Sequence, residues 1–400
     1  MKKSKLFFII IIIIAMTSFL TFSVTNIVQI RNDSKILIPI ETYENLKHIE
    51  LKYEKAERLQ NFISENFYED IPDEVIEDGV LYGLFDSLDD PYSVYMNQKE
   101  FKEFNEQSNG SYGGIGIIVT ASKGDFITIV SPFEDTPGER AGLKSGDKIL
   151  EANGIQVYSS QIDKAIDIMK GEPNTEVELK IKRDEEIFDV NITRELIVLK
   201  SVKSRIVDDK YGYIRITMFD SKVSEEFEKN LKELLNQNIK GLVIDLRNNP
   251  GGSLYEVIKI ADRLLDEQMI VYTENRVGHK EEYLSDNKKL NIPMTVLVNE
   301  GSASASEILT AAIQDTDSGI IIGTTTFGKG IVQSVIPLQD GSGIKLTTSQ
   351  YFTPNGECIH GIGIEPNIVI EMPDSYYEIE DPTDEDDIQL QKAIEILEEK

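Results

Sequence analysis

The sequence predicts an α/β core joined to a smaller β-rich domain, both placed behind amino-terminal helices. Three observations carry that expectation. Between Val202 and Met372 apolar strands alternate with amphipathic helices, with glycine-rich loops at several strand ends; this is the pattern of an α/β sheet whose reactive groups stand at the ends of strands. From about Gly110 to Arg194 the texture changes to short strands and glycine turns. Before Ser87, apolar residues recur at helical rather than strand spacing.

At the amino terminus Lys2, Lys3 and Lys5 precede Leu6–Val24, nineteen residues without a charge. About 20 apolar residues cross a bilayer as a helix, and basic residues on the near side predict that Met1–Lys5 stays cytoplasmic. No clear Ala-x-Ala site follows the apolar run. Residues 1–28 are therefore read as a cytoplasmic stub and a single transmembrane signal-anchor in the cell membrane, with the working part extracytoplasmic; a cleaved signal peptide is the competing reading.

Residues 29–108 read as a helical region. Leu46, Ile49, Tyr53, Leu59 and Phe62 mark one amphipathic helix over Glu41–Tyr68, and Val75, Val80, Leu84 and Phe85 a second over Pro72–Leu88. The second ends in Ser87-Leu-Asp-Asp-Pro-Tyr-Ser93, whose Asp-Pro is a turn signal and to which no chemistry is assigned. In residues 109–195, strands are expected at Gly113–Ile117, Phe126–Val130, Val177–Lys182 and Ile187–Thr193, with a helix at Gln161–Met169. In residues 196–373, strands are expected at Tyr211–Ile216, Gly241–Leu246, Met294–Val298 and Gly319–Gly323, and helices at Val223–Leu235 and Leu254–Leu265. Residues 374–400 form an acidic linker and a short helical pattern, Leu390, Ala393, Ile394 and Leu397.

Composition narrows the chemistry. The net charge of −29, from 41 basic and 70 acidic residues, argues against nucleic acid, whose phosphates demand clustered Lys and Arg. One cysteine, Cys358, rules out an intrachain disulfide, and three histidines make a His-based metal cluster improbable. No metal or other cofactor is expected.

Two short stretches carry the chemistry, Ser302-Ala-Ser-Ala-Ser-Glu-Ile308 and Thr326-Phe-Gly-Lys-Gly-Ile-Val-Gln333. A serine hydroxyl is a poor nucleophile near neutral pH and needs a base within reach. Lysine serves only if desolvation brings its pKa from about 10.4 toward 7, at about 4.6 kcal/mol. Lys329, held between glycines in apolar company, suits that shift, so the pair points to Ser–Lys acyl transfer.

The two motifs together resemble those of the carboxyl-terminal processing peptidases, the tail-specific proteases of family S41. The resemblance runs from about Asp70 onward, and the Leu88-Asp-Asp-Pro-Tyr-Ser93 element shares in it. It implies an α/β protease core of the crotonase/ClpP-like kind, with Ser304 as nucleophile, Lys329, 25 residues on, as general base, and Gln333 orienting the lysine. Ser302 and Ser306 are read as helix-terminus caps. The turn Asp245-Leu-Arg-Asn-Asn-Pro-Gly-Gly252 also resembles the family signature. Acyl transfer needs two donors aimed at the developing oxyanion, and the amides of Gly251 or Gly252, with that of Ala305, fit the need. Asp315 is expected to be structural, because a carboxylate beside Lys329 would raise its pKa. His360 is read as a loop residue near the sheet.

Residues 109–195 resemble an inserted PDZ domain, through Ala-Gly-Leu-x-x-Gly-Asp-x-Ile-Leu-x-x-Asn-Gly over Ala141–Gly154. Gly114, Ile115, Gly116 and Ile117 match the loop that holds a peptide's terminal carboxylate, with the peptide added as a strand to a sheet edge. Lys170 falls where family members often carry a regulatory arginine, and keeps the charge without the bidentate fork. The resemblance further implies peptide or protein substrates with apolar carboxyl termini, a regulatory protein partner, and a homodimer through the Glu41–Tyr68 helix and the tail. The alternative is a catalytically silent PDZ scaffold.

Overall fold

The computed structural model describes residues 10–19, 30–32, 35–121, 126–133, 135–286, 288–379 and 382–399. It divides into two compact units, Met1–Asp89 and Asp90–Lys400. Both ends of the expected anchor Leu6–Val24, residues 6–9 and 20–24, lie outside the described residues. Residues 10–19 are helical, and among the described residues no helix is long and apolar enough to cross a membrane.

In the first unit the helices Ile40–Asn66 and Asp73–Asp86 form where the apolar spacing predicts them. Neither buries a residue: Leu46, Ile49, Leu59 and Phe62 are each more than half exposed. The amphipathic stripe of the longer helix therefore faces solvent.

The second unit is built on a six-stranded sheet in the order Val202–Val207, Tyr211–Ile216, Leu242–Asp245, Met294–Val298, Ile320–Gly323, Ile368–Val369, antiparallel at the first pairing and parallel thereafter. Leu242–Asp245 and Met294–Val298 are buried along their whole length, which is why they read as continuous apolar runs rather than alternating ones. The helices Val223–Leu235, Leu254–Leu264 and Ala305–Asp315 cover one face, with Leu231, Ile260 and Leu309 in the same core as Ile244 and Val296. Fully burying each such side chain stabilises the fold by about 1.5–3 kcal/mol.

The other face is covered by the tail helix Ile388–Glu398, whose Leu390, Ala393 and Leu397 join Val243, Leu297 and Ile322. The tail's apolar stripe is thus packed within the chain rather than left open for a second copy. Its apolar residues are already used within the chain, and Asp384 and Asp387 anchor the segment before it to Arg205 and Arg247.

A second sheet runs Lys280–Leu284, Met269–Asn275, Gly343–Phe352, Ile331–Pro337, and Val94–Met96 adds to Gly343–Phe352. The lysine motif lies where the chain passes from the first sheet, at Gly323, to the second, at Ile331.

The β-rich domain has its own core, including Ile127, Ile149, Leu179 and Ile181. Its sheet orders Glu186–Thr193, Glu176–Arg183, Lys148–Ala152, Ile127–Pro132, Ile117–Ala121. The strand expected at Gly113–Ile117 is split. Ser111–Gly114 pairs with Glu195–Val198 as a separate ribbon, and Ile117–Ala121 enters the domain sheet. Gly116 makes the break: it sits at φ +72°, where a Cβ would lie within 2.4–2.8 Å of the Thr136 side chain.

Candidate active site

Ser304 lies between the strand Met294–Val298 and the helix Ala305–Asp315, at φ 56° and ψ −112°. Such a conformation costs a non-glycine residue about 1–3 kcal/mol and persists only where its surroundings fix it. Here they do. The Ser304 amide donates to the Glu307 carboxylate at 2.8 Å, and the Tyr351 hydroxyl donates to the Ser304 carbonyl at 3.3 Å. The flanking serines are buried and structural: Ser302 Oγ donates to the Leu246 carbonyl at 2.8 Å and Ser306 Oγ to the Asn249 carbonyl at 2.9 Å. They tie the loop to the 245–252 turn, a role different from the capping expected.

That turn is held against Ser304. Asn249 is fully buried, donates through Nδ2 to the Ile216 carbonyl, and receives the Gly251 amide at 2.9 Å. A Cβ at Gly251, where φ is +98°, would stand 2.8 Å from Ser304 Cβ and 2.9 Å from the Ala305 nitrogen. Gly251 therefore supplies proximity, and its amide, already given to Asn249, is withdrawn as an oxyanion donor. Two donors remain. Ala305 is the first residue of its helix, where an amide has no intrahelical acceptor, and the Gly252 amide donates to no described group.

Lys329 is partly buried. Desolvation, reinforced by the Lys345 charge, holds its ammonium below the usual lysine range, against the opposing pull of Asp90 and Glu307. Its Nζ lies 4.5 Å from the centre of the Tyr92 ring, and among the described residues no hydrogen bond joins it to Ser304 Oγ. Gln333 follows on the strand Ile331–Pro337 at a bulge, with Nε2 directed to Thr347 Oγ1 at 3.4 Å rather than to the lysine.

The residue that joins the Ser304 and Lys329 loops is Glu307, fully buried. Besides the Ser304 amide, its carboxylate receives the Thr326 hydroxyl at 2.7 Å, the Gly328 amide at 2.6 Å and the Lys329 amide at 2.9 Å. Sequence reading passed over it; the signal was a glutamate in an otherwise small and apolar run. The Asp90-Pro-Tyr-Ser93 segment was also read as a turn alone. It supplies Tyr92 beneath the lysine, and Ser93 Oγ bridges Asp90 to the Thr347 amide, at 2.6 Å and 2.9 Å. Asp315 receives the Asn355 amide, a structural contact as expected, and His360 sits in an exposed loop whose backbone lies against Gly330.

In the β-rich domain the edge strand Ile117–Ala121 faces the helix Ile162–Met169 across an apolar groove of about 320 Å³ lined by Ile115, Ile117, Val119, Phe133, Ile166 and Met169. At its closed end the carbonyls of Ile115 and Gly116 are tied back to the Gly138 and Phe133 amides. The amides of Ile115 and Gly116 donate to no described group. Gly114 belongs to the neighbouring ribbon. Lys170, at the groove's helix end, lies over the Tyr112 ring at 5.3 Å. Arg194, absent from the sequence reading, caps that helix by donating to the Ile168 and Met169 carbonyls. Among the described residues no cluster of His, Cys, Asp and Glu is arranged to hold a metal.

A largely parallel sheet presenting a strained serine, with a β-rich domain bearing an apolar groove at its sheet edge, is the architecture of a serine peptidase equipped with a PDZ module. The comparisons agree. The Peptidase family S41 profile matches residues 210–370, a PDZ domain profile residues 128–183, and the activating protease CtpB N-terminal domain profile residues 12–100. The carboxy-terminal processing protease CtpA of Bacillus subtilis (strain 168) is 35% identical over 376 residues, covering 93% of this chain and 78% of the relative. The carboxy-terminal processing protease CtpB of the same organism is 38% identical over 330 residues, covering 81% of this chain and 68% of the relative. A putative S41 protease from Bacteroides fragilis shares the fold, at TM-score 0.51 and 16% identity, over 78% of this chain and 87% of that one. The chain belongs to the carboxy-terminal processing proteases of peptidase family S41.

Proposed function

We propose that this serine peptidase works through a Ser304–Lys329 dyad on proteins whose apolar carboxyl termini its PDZ groove captures. Ser304 Oγ attacks the scissile carbonyl while the neutral Lys329 amine takes its proton. The amides of Gly252 and Ala305 receive the oxyanion, and Lys329 then activates the water that releases the acyl-enzyme. The observation that carries this reading is the Glu307 carboxylate, which binds the backbone amides of both Ser304 and Lys329. The position of Lys329 over Tyr92 fits a resting arrangement, from which the lysine turns to Ser304 when substrate excludes water; catalytic hydrogen bonds commonly tighten only in the substrate complex. Gln333 orients the lysine in that engaged state.

The enzyme is read as exported and anchored by Leu6–Val24, acting on regulatory or damaged envelope proteins. The exposed apolar stripe of Ile40–Asn66 supports pairing with a second copy. Lys170, stacked on Tyr112 of the ribbon that leads into the protease core, is suited to relay groove occupancy, as is a regulatory protein partner.

The test compares the parent protein with Ser304→Ala and Lys329→Ala on an unstructured protein with an apolar tail, free or amidated. Cleavage should fall by about 10²–10⁴-fold in each variant and slow on amidation. Turnover surviving in both variants would sink the dyad; indifference to amidation would sink tail recognition.

A further inference from the structure

A crevice of about 510 Å³ opens at the carboxyl ends of the parallel strands, apart from the PDZ groove. Arg215 at the end of one strand, Asn248 and Asn299 after the next two, and Thr324 after a fourth all line it. In open α/β sheets this is where ligands settle. Arg215 is unusual there. It is partly buried, its Nε is fully enclosed, and among the described residues its guanidinium makes no hydrogen bond or ion pair. Its neighbour Arg247, lining the same crevice, is fully engaged by Asp245, Asp387 and Gln389.

A buried donor left unmade costs about 1–3 kcal/mol, more when charged. In a chain of net charge −29, a guanidinium in contact with no carboxylate among the described residues stands out. The carboxylates nearest in the lining, Glu300 and Glu371, are exposed, and Glu300 receives the Thr324 hydroxyl. The crevice thus offers, among the described residues, one planar cation without a direct hydrogen-bond or ion-pair partner, exposed acidic groups at its margin, and amide and hydroxyl side chains between. That combination suits a carboxylate attached to a peptide and disfavours free multivalent anions.

The lining also connects to the chemistry. Asn299 Oδ1 receives the amides of Asn248 and Gly301, and its Nδ2 donates to Asn248 Oδ1 at 3.0 Å, joining the turn of Gly251–Gly252 to the loop of Ser304. We propose that this crevice is a second carboxylate-reading site, in which Arg215 grips the free end of a peptide tail close to Ser304. It rests on the peptidase reading above and adds a ruler to it: the cut falls at a set distance from the chain end.

The test uses the full chain carrying Ser304→Ala and an apolar peptide with a photoreactive group beside its carboxyl terminus, as free acid or as amide. Adducts are mapped by mass spectrometry. The free acid should label the 299–300 and 324–325 segments, and the PDZ groove independently. The crevice adduct should drop about tenfold on amidation and again in Arg215→Met, with Arg215→Lys intermediate, because a bidentate charge-assisted contact is lost. Groove adducts should persist in every Arg215 variant, which reports an intact fold; where Arg215→Met loses them, Arg215→Lys decides. Crevice labelling equal for acid and amide, or undiminished in the variants that keep the groove adduct, overturns the proposal. Labelling confined to the groove overturns it while leaving tail recognition standing, and no labelling anywhere by the free acid overturns tail recognition itself. Acetate displacing the crevice adduct as well as free peptide does would assign the site to small carboxylates and defeat the peptide reading.

Discussion

Glu307 shows how much of the active site is decided by a single buried side chain. Its carboxylate receives one hydroxyl and three amides with no exposure to water. Replacing it by Ala leaves those donors unmade, and Glu307→Ala should lose about 3 kcal/mol or more of stability and nearly all activity; Glu307→Gln, which retains one acceptor oxygen, should fall between. Thermal denaturation and peptide turnover on the same samples check this. Lys329 gives a prediction in pH. As the base proposed above it would work as the free amine, so turnover should rise with pH through its lowered pKa. Asp90 stabilises the ammonium and Lys345 opposes it. Asp90→Asn should therefore move the rising limb of kcat/KM to lower pH, and Lys345→Gln should move it to higher pH. Opposite or absent shifts would remove these neighbours from the tuning of the base. At this scale the sequence was a partial guide. Two motifs at fixed spacing drew the reading to Ser304 and Lys329. Glu307 and Tyr92 escaped it, because a carboxylate that serves only backbone amides, and an aromatic face lent from a distant turn, leave no local pattern.

Among the elements, strands buried on both faces and helices with one apolar face were read to within a residue or two, since burial alone dictates their patterns. The Gly113–Ile117 segment was misplaced because the break at Gly116 depends on close approach by Thr136, a tertiary fact. The partner of the tail helix was out of reach of the sequence for a similar reason. An amphipathic helix announces that it will bury a face, without saying against what. Its anchor, Arg247 between Asp245 and Asp387, is nearly sealed from solvent, and breaking a buried pair by removing one partner costs about 3–5 kcal/mol. Asp387→Ala should lower the denaturation midpoint accordingly. Because Arg247 also braces the 245–252 turn, turnover should fall below the level that the lost stability explains. An unchanged midpoint would reduce the contact to a surface ion pair.

For the whole molecule, the division at Asp89 makes a direct prediction. The segment Asp90–Lys400, holding the PDZ groove and the Ser304 and Lys329 loops, should fold and denature cooperatively by itself. If the exposed stripe of Ile40–Asn66 is the pairing surface, removing it should convert a dimer to a monomer in sedimentation without unfolding the remainder. Dimers that survive the removal would place the interface elsewhere.

The position of the lysine motif between two sheets has one more consequence. Ser304 moves with the parallel sheet, whereas Lys329, Gln333 and Tyr351 lie on or beside the antiparallel one. Glu307 and the Tyr351 hydroxyl stitch the seam. Competence is then a matter of alignment between two plates, and a slip of an ångström along that seam would idle the enzyme with every residue intact. Hydrostatic pressure, which squeezes packing defects rather than editing side chains, becomes a means of dialling the rate.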